Sequence, residues 1–155
     1  MLELSIPEIC LIANEILEAM SEGTMQISIQ TTKKVNQGKD TRETLIIEVN
    51  CSDGRSGDIA EFSGGEQAMI STALRCSLAL YNIRENDGLP FMVFDEPFGA
   101  YDPGNNYRAM CAFVELSKML DQVIIVSHQS ETFGQAGTII NLQMDEGGTT
   151  VAISQ

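Results

Sequence analysis

Two short apolar runs constrain this chain more than anything else in it. Phe91-Met92-Val93-Phe94 leads straight into Asp95-Glu96-Pro97, and Val123-Ile124-Ile125-Val126 leads into Ser127-His128. Between them, from about Asn105 to Leu120, Tyr107, Met110, Cys111 and Val114 fall at helical spacing on one face. A continuous apolar run of four or five residues is the pattern of a strand buried on both faces, and such strands belong to parallel sheets. Parallel neighbours need a crossover of a dozen or more residues, usually a helix. Strand, helix and strand in this order predict a βαβ unit and an α/β fold, with the Phe91 strand central and buried.

The rest of the chain supplies elements around that unit. Residues 5–20 carry a helical stripe of Ile6, Ile9, Cys10, Ala13, Ile16, Leu17 and Met20. Ser5 with Glu8 fits a capping box, Pro7 falls in the first turn, and Gly23 ends the helix. Met25, Ile27 and Ile29 alternate with polar residues, as do Leu45, Ile47 and Val49 within their stretch, so two strands are expected there. The polar stretch Thr32 to Glu43 reads as the long connection of that hairpin. Asn50 to Glu61 reads as loop, with Asp53-Gly54 and Ser56-Gly57 as turns. A helix is expected from Gly64 to Tyr81, buried on several sides, and Asn86 to Pro90 breaks it. Thr138 to Leu142 and Thr149 to Ile153 read as a closing hairpin around Glu146-Gly147-Gly148.

Bulk properties limit the function. The 155 residues, 43% hydrophobic, suit one domain with a packed core. Nine basic residues against a net charge of −13 exclude general electrostatic capture of a nucleic-acid backbone. If DNA is a partner, another chain of a complex or a local patch must supply most of the attraction, and the closest basic grouping is Lys33, Lys34, Lys39 and Arg42. Cys10, Cys51, Cys76 and Cys111 are scattered without a paired spacing, which points to a reducing compartment and away from a zinc site. With neither a signal-type start nor an apolar run of membrane-spanning length, the sequence is read as cytoplasmic, with no membrane partner.

Chemistry concentrates at three turns. Ser63-Gly64-Gly65-Glu66 opens a helix, and Ser63 with Glu66 forms a capping box. Two successive glycines in a first helical turn cost about 1 kcal/mol each against alanine. They are expected where a ligand must approach the backbone, and free N–H groups at a helix start suit a phosphate. Asp95 and Glu96 follow a core strand, where open α/β sheets place their ligands. There Asp95 suits Mg2+ and Glu96 suits activation of a water, or the two acids simply cap the strand. His128, the single histidine, ends the neighbouring strand. It reads either as structural or as a donor to a terminal phosphate.

Together these motifs resemble the second half of an ABC-type ATPase head. Phe62 to Gln67 looks like the signature motif, Phe91 to Glu96 like a Walker B strand with its adjacent glutamate, Phe98-Gly99-Ala100-Tyr101-Asp102 like the D-loop, and Ser127-His128 like the H-loop. The likeness is strongest to the C-terminal head segment of SbcC-like DNA-repair ATPases, within the SMC superfamily. It implies the C-terminal lobe of a P-loop head, with parallel core strands, flanking helices, an N-terminal β-hairpin and a C-terminal antiparallel hairpin. Three parts follow: an N-terminal helix over 1–22, a hairpin over 24–50, and a core over 62–155. The resemblance further implies ATP and Mg2+ as cofactors. Asp95 would serve the metal, and Glu96 and His128 would be catalytic. Ser63, Gly64, Gly65, Glu66 and Gln67 would face the nucleotide of an opposing head, and Asp102 would lie at the interface. The implied partners are a Walker A-containing N-terminal lobe from the same or a separate chain, a second head, and an SbcD-like nuclease.

The departures are equally specific. No G-x-x-x-x-G-K-[ST] loop occurs, Tyr101 stands where leucine is usual, and the long coiled coil of the family is not seen. Ser5 and Pro7 suggest that the first helix starts at this point. ATP turnover is therefore expected only after completion by a Walker A lobe. Half of an ABC transporter's nucleotide-binding domain and a non-catalytic dimerisation module are the alternatives.

Overall fold

In the computed structural model, the described residues are 2–35, 41–100, 106–145 and 147–154. Helix α1 (Leu2–Ser21) leads into the antiparallel hairpin β1 (Met25–Val35) and β2 (Thr41–Cys51). A short strand, β3 (Ser56–Asp58), adds to β2 in antiparallel sense. Helix α2 (Gly64–Glu85) follows, then β4 (Phe91–Asp95), α3 (Asn106–Met119) and β5 (Gln122–Val126). The chain ends in the antiparallel pair β6 (Ile139–Asp145) and β7 (Gly148–Ser154). The βαβ unit is as the sequence implies, with β4 and β5 parallel across α3.

The core lies where α1 packs against α2, α3 and β1. Ile12, Ile16, Leu17 and Met20 bury the α1 stripe. Each contributes on the order of 1.5–3 kcal/mol by leaving water. Met25, Ile27 and Val49 close the hairpin over it, and Met69, Ile70, Ala73, Cys76 and Leu80 meet it from α2. Burial pushes the Cys76 thiol up to about 12, so it remains a protonated core group. Asn14 of α1 donates Nδ2–H to the Ile27 carbonyl at 2.9 Å, and its Oδ1 accepts the Ile27 N–H at 2.8 Å. The amide thereby satisfies the backbone on the free side of β1, the edge strand of its sheet.

Several sequence expectations change. Helix α1 begins by Leu2, so Ser5 and Glu8 lie inside it and form no capping box, and Pro7 is an interior residue. Their side chains serve α2 instead. Tyr81 donates its hydroxyl to Ser5 Oγ at 2.8 Å, and Arg84 pairs with Glu8 at 3.4 Å. Strand pairing continues to Val35 opposite Thr41, through residues read as a connection. Thr31, Thr32, Val35, Thr41 and Thr44 are β-branched and favour that extension, while residues 36–40 lie outside the described set. The Asn50–Glu61 stretch contains β3 and a 3-10 turn, Ile59–Glu61, capped by Asp58. Three residues including a glycine are too few and too poor in β formers to announce a strand. Helix α2 runs on to Glu85 and buries one stripe rather than several sides, with Leu78 exposed.

The largest difference concerns β4. It is not central here: Met92 is buried and Phe94 packs on Phe113 at 4.6 Å between centroids, but Phe91 and Val93 face outward. Val93 and Val126 are 55% and 51% exposed. Phe91, Val93, Ile124 and Val126 share the other face of this two-stranded sheet, and among the described residues nothing covers it.

Candidate functional site

Register places the rim. Phe91 pairs with Gln122, and the ladder runs in step to Asp95 opposite Val126. Glu96 on one strand and Ser127-His128 on the other therefore leave the sheet at the same end. The Glu96 N–H donates to the Val126 carbonyl at 2.8 Å, extending the ladder by one bond. Glu96 has φ 46, in the left-handed region. A residue other than glycine held there costs about 1–3 kcal/mol, a strain that collects at functional sites.

The Glu96 carboxylate is engaged by the other strand. Oε1 accepts the His128 N–H at 3.1 Å and meets His128 Nδ1 at 2.8 Å, while Oε2 accepts the Ser127 hydroxyl at 3.2 Å. The hydrogen bond from the His128 ring, above all, holds the Glu96 carboxyl below the usual range. A carboxylate has about four lone-pair sites, so these three bonds leave one for a water. His128 is 79% exposed on its side chain. With Nδ1–H given to Glu96, its Nε2 accepts when the ring is neutral and donates only when it is protonated. Asp95 is exposed on the same rim and has no hydrogen-bond partner among the described residues, so its oxygens are free for a hard cation. Ser127 also accepts the Gln129 N–H at 3.2 Å, and Gln129 Oε1 accepts from Asn106 Nδ2 at 2.8 Å, tying the end of β5 to the start of α3.

The second part of the site is the start of α2. Ser63 caps it, with Oγ accepting the Glu66 N–H at 3.4 Å, and Glu66 Oε2 accepts the Ser63 N–H at 2.8 Å. Gly64 and Gly65 are the first two helical residues, and their amides have no acceptor among the described residues. A Cβ placed on Gly64 would meet nothing within 4 Å, so packing inside this chain does not require the glycine. Gln67 turns away from this surface and donates to the Phe62 carbonyl at 2.7 Å. Phe98 is fully buried and meets Phe113 edge to face at 5.8 Å, anchoring the turn Pro97–Ala100. Tyr101 and Asp102 lie outside the described residues.

Asp95, Glu96 and His128 are thus neighbours on one rim, whereas Ser63 to Gln67 form a separate surface at the start of α2. Sequence reasoning placed Ser127 in a motif without giving it a role, and missed Arg55 and Asn106. Ser127 had a visible signal, a hydroxyl one residue from the histidine at a strand end.

Relatives and solved structures agree on the architecture. Over 149 residues, 96% of this chain and 16% of the relative, the chain is 26% identical to the DNA double-strand break repair Rad50 ATPase of Archaeoglobus fulgidus. It is 31% identical over 111 residues to the chromosome partition protein Smc of Mycobacterium leprae, covering 72% of this chain and 9% of that one. The SMC head domain from Thermotoga maritima superposes with a TM-score of 0.68 at 20% identity, over 96% of this chain and 48% of that one. A structure from work on ATP-driven dimerization and DNA-stimulated activation of SMC ATPases reaches 0.71 at 23% identity, over 97% and 85%. The fold is that of a C-terminal lobe of an ABC-type ATPase head. Its sequence relatives are Rad50 and Smc ATPases, which sets the chain beside the SMC superfamily. The chain spans less than a fifth of those two relatives. No family model matches it. The ATP-binding protein LolD of Aquifex aeolicus, of a lipoprotein-releasing system, is 29% identical over 81% of this chain and 48% of its own length. No described helix is long and apolar enough to cross a membrane.

Proposed function

We propose that this chain is the C-terminal lobe of an SbcC-like DNA-repair ATPase that completes a nucleotide site only with a Walker A lobe and works in a cytoplasmic head dimer. The observation that carries this reading is the contact of Glu96 with Ser127 and His128 at one end of the β4–β5 pair. Two strands far apart in sequence bring a base, an imidazole and an unpaired aspartate to one rim. The residues fit a magnesium nucleotide: Asp95 offers free carboxylate oxygens, and the rim is open to solvent. When bound, the metal would supply charge neutralisation of the phosphates. Glu96 orients an attacking water and takes its proton through its remaining lone pair. His128 holds Glu96 in place and, when protonated, presents Nε2–H to a terminal phosphate oxygen. Ser63 and the amides of Gly64 and Gly65 face the nucleotide of the opposing head, with Glu66 and Gln67 shaping that turn, and Asp102 serves the interface. Rad50-type and Smc-type likeness supports DNA as the eventual substrate of the complex, and an SbcD-like nuclease is the expected partner. The transporter reading draws on the LolD relative. It accounts for less of the chain, since the Rad50 likeness spans 96% of it against 81%.

The test is Glu96→Gln in a head reconstituted with its Walker A lobe. The amide still accepts a hydrogen bond but takes no proton, so hydrolysis should fall by about 100-fold or more while ATP-dependent dimerisation persists. Unchanged turnover removes Glu96 from the catalytic role. Dimerisation without any turnover in the wild-type head favours the non-catalytic module.

A further inference from the structure

Behind the Ser63 turn stands a cation that the nucleotide chemistry leaves unused. Arg55 is the only basic residue between Arg42 and Arg75. It follows Gly54, whose φ of 90 lets the β2–β3 turn reverse. Asp53 anchors it twice: Oδ1 accepts the Arg55 N–H at 3.0 Å and Oδ2 accepts from Nε at 2.8 Å. A terminal nitrogen then donates to Glu66 Oε1 at 3.0 Å, and the guanidinium carbon lies 5.5 Å from the centre of the Phe62 ring. The other Glu66 oxygen accepts the Ser63 N–H. One carboxylate therefore joins the cation to the first amide of the turn.

We propose that Arg55 is the positioning residue of the Ser63-Gly64-Gly65 turn, and so sets how tightly the opposing head closes on its nucleotide. This rests on the reading of that turn as one side of a nucleotide sandwich. Two physical arguments support it. The guanidinium fixes Glu66, whose other oxygen accepts the Ser63 N–H, and the amides of Gly64 and Gly65 are left without an acceptor among the described residues. It also offsets the Glu66 charge, which would otherwise repel an anion arriving one helical turn away. The hydrogen bond from Arg55 is the foremost reason that the Glu66 carboxyl is held below its usual range. Only arginine serves here. Its planar fork reaches Asp53 and Glu66 in different directions while stacking on Phe62, and a lysine ammonium would serve one of them. An exposed ion pair adds little to fold stability, so the effect should appear in closure rather than in folding.

The experiment compares wild type, Arg55→Ala and Arg55→Lys in the reconstituted head. Its readouts are ATP-dependent dimerisation, nucleotide affinity of the single head, thermal midpoint, and amide exchange at Ser63. For Arg55→Ala, dimerisation should weaken by about three- to tenfold and Ser63 should exchange faster, with single-head nucleotide affinity and thermal midpoint unchanged. Arg55→Lys should restore part of the loss. Dimerisation of Arg55→Ala equal to wild type overturns the positioning role alone, as does a loss matched by a drop in thermal midpoint. A wild-type head that does not dimerise with ATP overturns the reading of the turn, and the role of Arg55 with it.

Discussion

Two hairpins in this molecule carry the same pattern and meet opposite fates. In β1–β2, Met25, Ile27 and Val49 alternate with polar residues and are buried against α1 and the core around it. In β6–β7, Ile140 stands opposite Ile153 and Leu142 opposite Val151, so both strands put their apolar side chains on one face. All four are exposed, and Met144 beside them is 84% exposed. Alternation tells which face of a hairpin seeks cover. It does not tell whether the same chain supplies that cover. Here α1 supplies it for the first hairpin, and nothing among the described residues does so for the second.

The comparison can be broken by mutation. The largest effect should come from Ile27→Ala, which empties a filled site on the first hairpin. It should cost about 2–4 kcal/mol in chemical denaturation of the chain. Next is Asn14→Ala. The Ile27 N–H loses its side-chain partner and the Ile27 carbonyl keeps only the weaker Cys10 thiol at 3.4 Å, so about 1–3 kcal/mol should go with them. The paired change Leu142→Ala with Met144→Ala should be nearly silent in the same measurement, within about 0.5 kcal/mol. A cost as large as that of Ile27→Ala would mean that the second hairpin is covered after all. The smallest effect is one of pH. Glu66 and Glu96 both titrate below the ordinary 4.5, so their contributions are complete above that value and fade as pH falls through the lowered ones. Glu66→Gln and Glu96→Gln should therefore be slightly less stable than wild type at neutral pH, with flatter profiles that meet the wild-type curve as pH falls through the lowered values.

The same comparison explains what could be read in advance. The βαβ unit was legible because Phe91–Phe94 and Val123–Val126 are apolar without interruption, a pattern typical of parallel-sheet strands, and a helical stripe lies between them. The shared rim of Glu96 and His128 follows from it directly. The capping box at Ser63 was legible because it is local, set by residues three apart. The one at Ser5 had the same local signal and failed, because the helix continues past it to Leu2 and Ser5 takes the hydroxyl of Tyr81, 76 residues away. Nothing within one turn of Ser5 encodes that partner. The outward faces of Val93 and Val126 were misread for a related reason: an apolar strand records the assembly it is meant for, and the sequence alone does not say how much of that assembly one chain contains. Arg55 escaped because its three contacts, to Asp53, Phe62 and Glu66, meet only after a turn and a 3-10 segment have folded back on the start of α2.

The ladder of β4 and β5 has one more consequence. Its residues match one for one, and the chemistry begins at the last pair, Asp95 opposite Val126, and continues in the residues just past it. Insertion or deletion of a single residue in β5 would carry the imidazole about 3.3 Å along the strand and onto the opposite face. The lengths of these two strands are thus a ruler for the rim. Variation among such chains should be tolerated along the outer side of α3 and forbidden in the count of residues from Gln122 to His128.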